Sequence, residues 1–376
     1  MKKVLIIFGT RPEAIKMAPV IFSLKSAFNV RVCVTAQHRK MLDQVLELFS
    51  IHPDYDLDVM KNNQDLFDIS ANVLLGLREI LSKESPDLVL VHGDTTTSMI
   101  AALAAFYQKV PVGHIEAGLR TNNIYSPYPE EINRQIISNI ASIHFAPTKN
   151  AKQNLIDENI PDKNIFITGN TVIDSLFSVI DEARNIDLPN DLKNLLSLHT
   201  KDTNKDSKII LVTGHRRENF GQVFVQICNA ISLIAQEFQD IKIIYPVHLN
   251  PNISKPAKDI LSGLDNVFLI NPLDYLNFIK IMDLSYLVLT DSGGIQEEAP
   301  SLGKPVIVMR EETERPEAVK AGTVKVVGTK KEAIYNEIKK LLTDKNAYSK
   351  MAKSHNPYGD GHASKIILTV IKELML

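Results

Sequence analysis

Three carboxylates stand directly after short apolar runs or at a following helix start in the first half of the chain. Asp94 lies in His92-Gly93-Asp94-Thr95-Thr96-Thr97-Ser98, Glu116 in His114-Ile115-Glu116-Ala117-Gly118-Leu119-Arg120-Thr121, and Glu130 in Pro129-Glu130-Glu131-Ile132-Asn133-Arg134. Taken singly, each could be a helix N-cap or a first-turn anion. As a set converging on one cleft they allow more, because burial and mutual repulsion raise one pKa while another group stays ionised. One site then holds both an acid and a base. Cations accompany them in Gly9-Thr10-Arg11-Pro12-Glu13-Ala14-Ile15-Lys16. Thr10 and Glu13 have capping-box spacing and Pro12 suits a first helical turn, which accounts for a helix start. Arg11 and Lys16 are not accounted for, since the helix macrodipole disfavours positive charge there. An anionic ligand held against the same N–H groups would explain them.

The second half repeats the arrangement with different chemistry. Gly214-His215-Arg216-Arg217-Glu218-Asn219 sets a cluster of donors at a helix start. His215 alone could be a cap or a packed core residue, but His-Arg-Arg together is costly unless an anion neutralises it. In Asp291-Ser292-Gly293-Gly294-Ile295-Gln296-Glu297-Glu298, a Ser and two Gly would let backbone N–H groups approach a diphosphate closely. Glu298, one turn on, would face a ribose diol, and Arg315 adds a further cation. The combination describes a nucleoside diphosphate site.

These residues need elements to hold them. Runs at Val4 to Phe8, Val30 to Thr35, Leu88 to His92, Val110 to Ile115, Ile143 to Ala146 and Ile165 to Thr168 are bounded by turn residues and alternate with segments of helical period. The same holds at Ile209 to Thr213, Ile241 to Pro246, Val267 to Ile270, Tyr286 to Thr290, Val306 to Met309 and Val324 to Val327. That is the pattern of parallel sheets covered by helices, hence an α/β protein of two doubly wound, Rossmann-like units. Both begin alike, strand then Gly9-Thr10-Arg11 and strand then Gly214-His215-Arg216. In such sheets ligands sit beyond the carboxyl ends of the strands, so two units facing one another would line a central cleft with these loops. The polar stretch Ala183 to Asp206 shows no sustained period, and the connection is expected there or a little before it. The expected division is residues 1–180 with the acid/base groups, 181–360 with the nucleotide site, and 361–376 as a C-terminal helix returning to the first unit.

Composition narrows the chemistry. With 376 residues the chain is long enough for two cores, and 44% hydrophobic against 23% charged residues is a globular composition. A formal charge of −2 argues against a broad basic face for nucleic acid. Cys33 and Cys228 sit far apart in apolar runs, as buried thiols of a reducing compartment would. The short apolar run after Met1-Lys2-Lys3 reads as a first strand and not a signal peptide, and no stretch approaches the roughly 20 apolar residues of a membrane helix. A cytoplasmic protein without membrane contact is expected. No Gly-x-Gly-x-x-Gly follows a strand, no Walker loop occurs, and no His or Cys spacing suits a metal, so chemistry by side chains alone, without cofactor or metal, is expected.

The motifs at 8–16, 92–97, 113–121, 129–134, 214–219, 291–298 and 313–317, taken in order, resemble the bacterial non-hydrolysing UDP-N-acetylglucosamine 2-epimerases. The resemblance runs from residue 1 to Asn356-Pro357-Tyr358-Gly359-Asp360-Gly361. It implies a two-domain fold like that of the GT-B glycosyltransferases, a homodimer, and interconversion of UDP-GlcNAc and UDP-ManNAc for surface polysaccharide. By matching motif it implies Asp94, Glu116 and Glu130 as acid/base groups, with His215, Arg11 and Lys16 at the diphosphate or sugar. Ser292, Gly293, Gly294 and Arg315 would contact phosphate, Glu298 the ribose, and Phe278 the uracil. Hydrolysing relatives differ in the first loop, here Thr-Arg-Pro-Glu, which favours the reversible enzyme. A GT-B glycosyltransferase would need an acceptor site, and a sugar-nucleotide sensor would not need the acid set. In some members UDP-GlcNAc also binds beside the active site and activates. Gln37, His38, Arg216 and His248 match that site, whereas Lys40 and Asn63 replace a Gln and an Arg. Activation is expected to be weakened, because a lost Arg removes a bidentate phosphate partner.

Overall fold

The computed structural model describes residues 1–36, 39–60, 64–197, 207–214, 216 and 219–375. They divide into two compact units, 1–178 with 358–376, and 179–357. The first unit runs β1 (Lys3–Phe8), α1 (Arg11–Lys25), β2 (Asn29–Val34), α2 (Arg39–Leu48), β3 (Tyr55–Asp56), α3 (Leu66–Glu84), β4 (Leu88–His92), α4 (Thr96–Tyr107), β5 (Val112–Ile115), α5 (Glu130–Ile140), β6 (Ile143–Ala146), α6 (Lys149–Asp157) and β7 (Ile165–Ile167), and α7 (Thr171–Asn185) carries the chain across the division. All pairings are parallel, in the order β3-β2-β1-β4-β5-β6-β7. Val4 to Phe8 are completely buried. A parallel sheet is covered on both faces, so its central strands carry apolar side chains at every position.

The second unit contains α8 (Asn190–Ser197), β8 (Ile209–Thr213), α9 (Gln222–Glu237), β9 (Lys242–Pro246), α10 (Pro251–Leu261), β10 (Val267–Ile270), α11 (Tyr275–Leu284), β11 (Leu287–Thr290), α12 (Ile295–Ser301), β12 (Val306–Val308), α13 (Pro316–Ala321), β13 (Val324–Val326), α14 (Lys331–Thr343) and α15 (Lys345–Ala352). Its sheet order is β10-β9-β8-β11-β12-β13, again parallel throughout. The α8 helix lies inside the polar stretch that shows no sustained period; eight residues are too few to establish one. The edge strand β3 also escapes the sequence reading, having two residues of which one is exposed. Cys33 and Cys228 are buried and unbonded to each other, and burial pushes both thiols up to about 12.

The last helix, α16 (Ala363–Met375), packs against α1 in the first unit. Asp174 of α7 caps it, accepting the N–H groups of Ala363 (3.1 Å) and Ser364 (2.8 Å) and the Ser364 hydroxyl (2.6 Å). Such a charged cap satisfies donors that the helix itself leaves open.

Candidate active site

In each sheet the strand order reverses beside the first strand of the unit, between β1 and β4 and between β8 and β11. Loops leaving those strands diverge there, which makes the carboxyl edge the place where polar groups can gather. Gly9, at the end of β1, is required by close packing. A Cβ there would lie 2.1 Å from Thr35 Oγ1 and 2.7 Å from Thr97 Oγ1, two hydroxyls 3.0 Å apart. Glu13, on the first turn of α1, is buried and ties two loops together. It accepts the N–H groups of Gly9 (3.0 Å) and Thr10 (2.8 Å) and the hydroxyls of Thr10, Thr95 and Ser98. Burial raises its pKa, against the lowering effect of those donors.

The N-cap of α4 is Thr95, whose hydroxyl accepts Ser98 N–H at 3.0 Å. Asp94 is therefore free of capping and turns to Arg134 of α5, which donates from Nε at 2.9 Å and approaches with Nη2 at 2.8 Å. Arg134 also donates from Nη1 to Glu131 at 2.6 Å. Glu131 is fully buried and accepts the N–H groups of Thr121 and Asn122, which makes it a brace for the loop after β5. Glu130 begins α5, half-buried at the helix end where the macrodipole favours its charge. The α5 sequence thus presents Glu130 one turn ahead of Asn133 and Arg134, and Asn133 donates to the Asp94 carbonyl at 2.8 Å.

Glu116 follows β5 in the left-handed region at φ +64°, a conformation that costs an L-residue about 1 kcal/mol or more and marks special positions. Its Oε2 pairs with Lys16 Nζ, accepts Asn170 Nδ2 at 2.6 Å, and lies 3.8 Å from His92 Nε2. Burial lowers His92 to about 4 although Glu116 pulls the other way, so the imidazole is neutral at pH 7. His114 hydrogen-bonds the Gly93 carbonyl through Nε2 at 2.7 Å, which puts the ring proton on that nitrogen; burial lowers this group to about 3. Lys16 and Glu116, 100 residues apart in sequence, are thus brought into contact. Arg11 opens α1, half-buried.

In the second unit Asp291, after β11, accepts Arg216 N–H at 2.9 Å and Asn219 Nδ2 at 3.0 Å, fixing the loop after β8. Gly293 lies against the Arg315 guanidinium, and a Cβ there would meet Nη1 at 2.4 Å. Arg315 donates to Glu297 and to Glu314, each at 2.5 Å. Glu314 also receives Arg310 at 2.8 Å and stands 3.6 Å from Arg216. Burial opposes its charge, yet Arg315, Arg216 and Arg310 hold it well below the usual carboxylate range. Three guanidinium groups are therefore fixed around one carboxylate beside Ser292-Gly293-Gly294. Glu298 is buried and accepts the Tyr275 hydroxyl at 2.8 Å. Phe278 stands half-buried one turn along α11 from Tyr275. His248, after β9, is exposed, with Nδ1 accepting Asn250 N–H at 3.1 Å.

His215, Gln37 and His38 lie outside the described residues, as does Asn63. Sequence reasoning did not single out Asn170, Tyr275, Arg134 or Arg310. Thr168-Gly169-Asn170 at the end of β7 carried a signal of the kind used for the other loops, a polar residue after a strand.

A family model described as UDP-N-acetylglucosamine 2-epimerase matches residues 22–372. The chain belongs to the UDP-N-acetylglucosamine 2-epimerase family. It is 57% identical over 373 residues to the UDP-N-acetylglucosamine 2-epimerase of Yersinia pestis, covering 98% of each chain, and 56% identical over 372 residues to that of Escherichia coli K12, with the same coverage. A crystal structure of the UDP-GlcNAc 2-epimerase of Neisseria meningitidis, bound to UDP-GlcNAc, superposes with a TM-score of 0.92 at 51% identity, over 99% of this chain and 100% of that one. The α/β fold of two doubly wound units is thus the GT-B-like fold of this epimerase family. Among the described residues no helix is long and apolar enough to cross a membrane.

Proposed function

We infer that this chain is an isomerase that interconverts UDP-N-acetylglucosamine and UDP-N-acetylmannosamine by eliminating UDP and adding it back. The observation that carries the reading is the carboxylate set of an epimerase-family chain: Glu116 against Lys16 and Asn170, Asp94 against Arg134, and Glu130 on the same first turns of α5. The proton at sugar carbon 2 is not next to a carbonyl, so enolisation cannot remove it. Instead a carboxylate takes that proton while the bond from carbon 1 to the diphosphate oxygen breaks, its electron pair leaving with UDP. A carbon 1–carbon 2 double bond forms, giving a glycal. A second acid group returns a proton to the opposite face of carbon 2, and UDP adds back at carbon 1.

Asp94, Glu116 and Glu130 fill the acid/base roles, with His215 beside the leaving group. Arg11, Lys16, Ser292, Gly293, Gly294 and Arg315 bind diphosphate and sugar. Cations fixed before the bond breaks stabilise the departing diphosphate without reorganisation, which is the economical way to lower such a barrier. Glu298 takes the ribose hydroxyls and Phe278 walls the uracil. On this reading the enzyme is a cytoplasmic homodimer that supplies ManNAc to surface polysaccharide.

Proton NMR of UDP-GlcNAc with the enzyme in heavy water tests the mechanism. UDP-ManNAc should accumulate with deuterium at carbon 2, with no nicotinamide cofactor or divalent metal added. Epimerised product that keeps protium at carbon 2 would overturn it.

A further inference from the structure

Asn170 is 2% exposed and every polar group described for it has a defined partner. Its Nδ2 donates to Glu116 Oε2 at 2.6 Å, while its Oδ1 accepts Val172 N–H at 3.2 Å on the first turn of α7. That second bond fixes which way the amide faces: the flipped amide would set an oxygen against the carboxylate and an NH2 against an N–H. The backbone N–H of Asn170 donates to the Tyr358 carbonyl at 2.7 Å. Tyr358 is fully buried, and the segment it opens returns to the first unit after the whole of the second has been traversed.

The approach is backbone to backbone and rests on two glycines. At Gly169 (φ +82°) a Cβ would stand 3.1 Å from the Tyr358 carbonyl oxygen and 3.4 Å from Gly359 Cα. At Gly359 (φ +114°) a Cβ would stand 3.3 Å from Gly169 Cα. Both backbone conformations are ones that side-chain-bearing residues rarely adopt. A chain of direct contacts therefore runs from the C-terminal segment through Tyr358 to Asn170 and on to the carboxylate oxygen that also meets Lys16. Glu116 itself is held at positive φ, so its carboxylate is aimed by these partners and not by a relaxed backbone.

We propose that Asn170 is a positioning residue that orients the Glu116 carboxylate for proton transfer, and that the Tyr358-Gly359 segment sets Asn170 for that task. The proposal rests on the epimerase reading given above. A neutral amide donor leaves the charge of the Lys16–Glu116 pair unchanged while fixing the direction of one oxygen. Directional control matters because proton transfer tolerates little misplacement.

Two substitutions separate positioning from packing. Asn170→Asp keeps the shape of the side chain and its acceptor for Val172 N–H, but sets a second carboxylate against Glu116. Asn170→Ala removes both bonds and adds no charge. If Asn170 positions Glu116, Asp is at least as damaging as Ala, kcat falls by about 10- to 100-fold in both, and KM and the affinity for UDP stay within about threefold of wild type. If Asn170 only packs the loop, Asp retains more activity than Ala, and that order overturns the proposal. Equal loss through a raised KM overturns it as well. Gly359→Ala should reproduce the kcat loss in weaker form with KM retained; a variant with lowered thermal stability and wild-type kcat refutes the part assigned to the C-terminal segment. Wild-type enzyme assayed alongside keeps the two readings apart. No epimerisation by wild type defeats the function, whereas wild-type turnover with unaffected Asn170 variants defeats this inference alone.

Discussion

Three histidines on adjacent strands, His92 of β4, His114 of β5 and His144 of β6, are buried without charge, and acid should unfold the first unit through them. Burial lowers His92 and His144 from the ordinary 6.5 to about 4 and His114 to about 3. A folded-state pKa below the unfolded value means that stability is complete above about pH 6.5 and is lost as pH falls, because only the unfolded chain takes up the protons. Each such group contributes about 1.4 kcal/mol per pH unit once the unfolded histidine is titrated, so three give a limiting slope of about 4 kcal/mol per pH unit. Marginal stabilities of about 5–15 kcal/mol are consumed quickly at that slope. Glu13 works in the opposite sense, since its raised pKa favours the fold as the pH falls through its titration, but it is one group against three.

His144→Leu isolates one term. His144 is paired with His114 across the β5–β6 ladder and is fully buried, so a leucine of similar volume should fit with little change at pH 7.5, within about 1 kcal/mol. Below pH 6 the variant should gain on wild type by about 1.4 kcal/mol per pH unit. For a unit of this size that is about 3–6 °C of melting temperature per pH unit. Thermal unfolding followed by circular dichroism at half-unit steps from pH 7.5 to 5 measures the gap. Parallel curves, with a constant difference at every pH, would show that His144 titrates in the fold as it does in the open chain, and the argument from burial would fail.

The amide variants Asp94→Asn, Glu116→Gln and Glu130→Gln should each lower kcat by about 100-fold or more with folding intact; near-normal turnover in all three would remove the acid/base assignment. Arg315→Lys should weaken UDP binding measured by calorimetry by about tenfold or more. Lysine lacks the planar fork that reaches both Glu297 at 2.5 Å and Glu314 at 2.5 Å, and an unchanged affinity would show that the fork is not needed. If, as the resemblance implies, Lys40 and Asn63 stand where activated members carry a Gln and an Arg, pure UDP-ManNAc should be converted without added UDP-GlcNAc; an initial rate near zero, restored by a trace of UDP-GlcNAc, would contradict this.

Most strands were legible because a doubly covered parallel strand leaves an uninterrupted apolar signature, as Val4 to Phe8 and Ile209 to Thr213 do. β3 was not, since two residues at a sheet edge leave no pattern. In the site, residues placed by a strand end could be read from sequence: Asp94, Glu116 and Ser292-Gly293-Gly294 each follow one. What stayed hidden is pairing. Nothing in Gly9 to Lys16 says that Lys16 will face Glu116, and nothing in Thr168-Gly169-Asn170 says that its amide will meet the same oxygen from 54 residues away. Those partners are chosen by sheet order, which a single sequence specifies only through the sum of its packing.

On the proposed roles, one topology carries the acid/base carboxylates in the first unit and most of the diphosphate contacts in the second. Gly9 and Gly214 hold equivalent places after the first strand of each sheet, and in both the next loop comes from the strand across the reversal, β4 or β11. In the first unit that loop and the one after β5 deliver Asp94, which faces Arg134, and Glu116, which faces Lys16. In the second, Arg216, Arg310 and Arg315 gather around Glu314, and Arg315 also donates to Glu297. A carboxylate accepts hydrogen bonds and can exchange a proton, whereas a guanidinium carries its donors in a planar fork that matches the oxygens of a diphosphate. The difference lies in a few loop residues and not in the sheets. A cation moved into the first unit should therefore impair proton transfer while leaving UDP affinity intact, and Asn170→Lys, which would bring a second ammonium to Glu116, should lower kcat without lowering UDP affinity in the same calorimetric assay. Loss of UDP affinity in that variant would mean that the two chemistries are not divided between the units in this way.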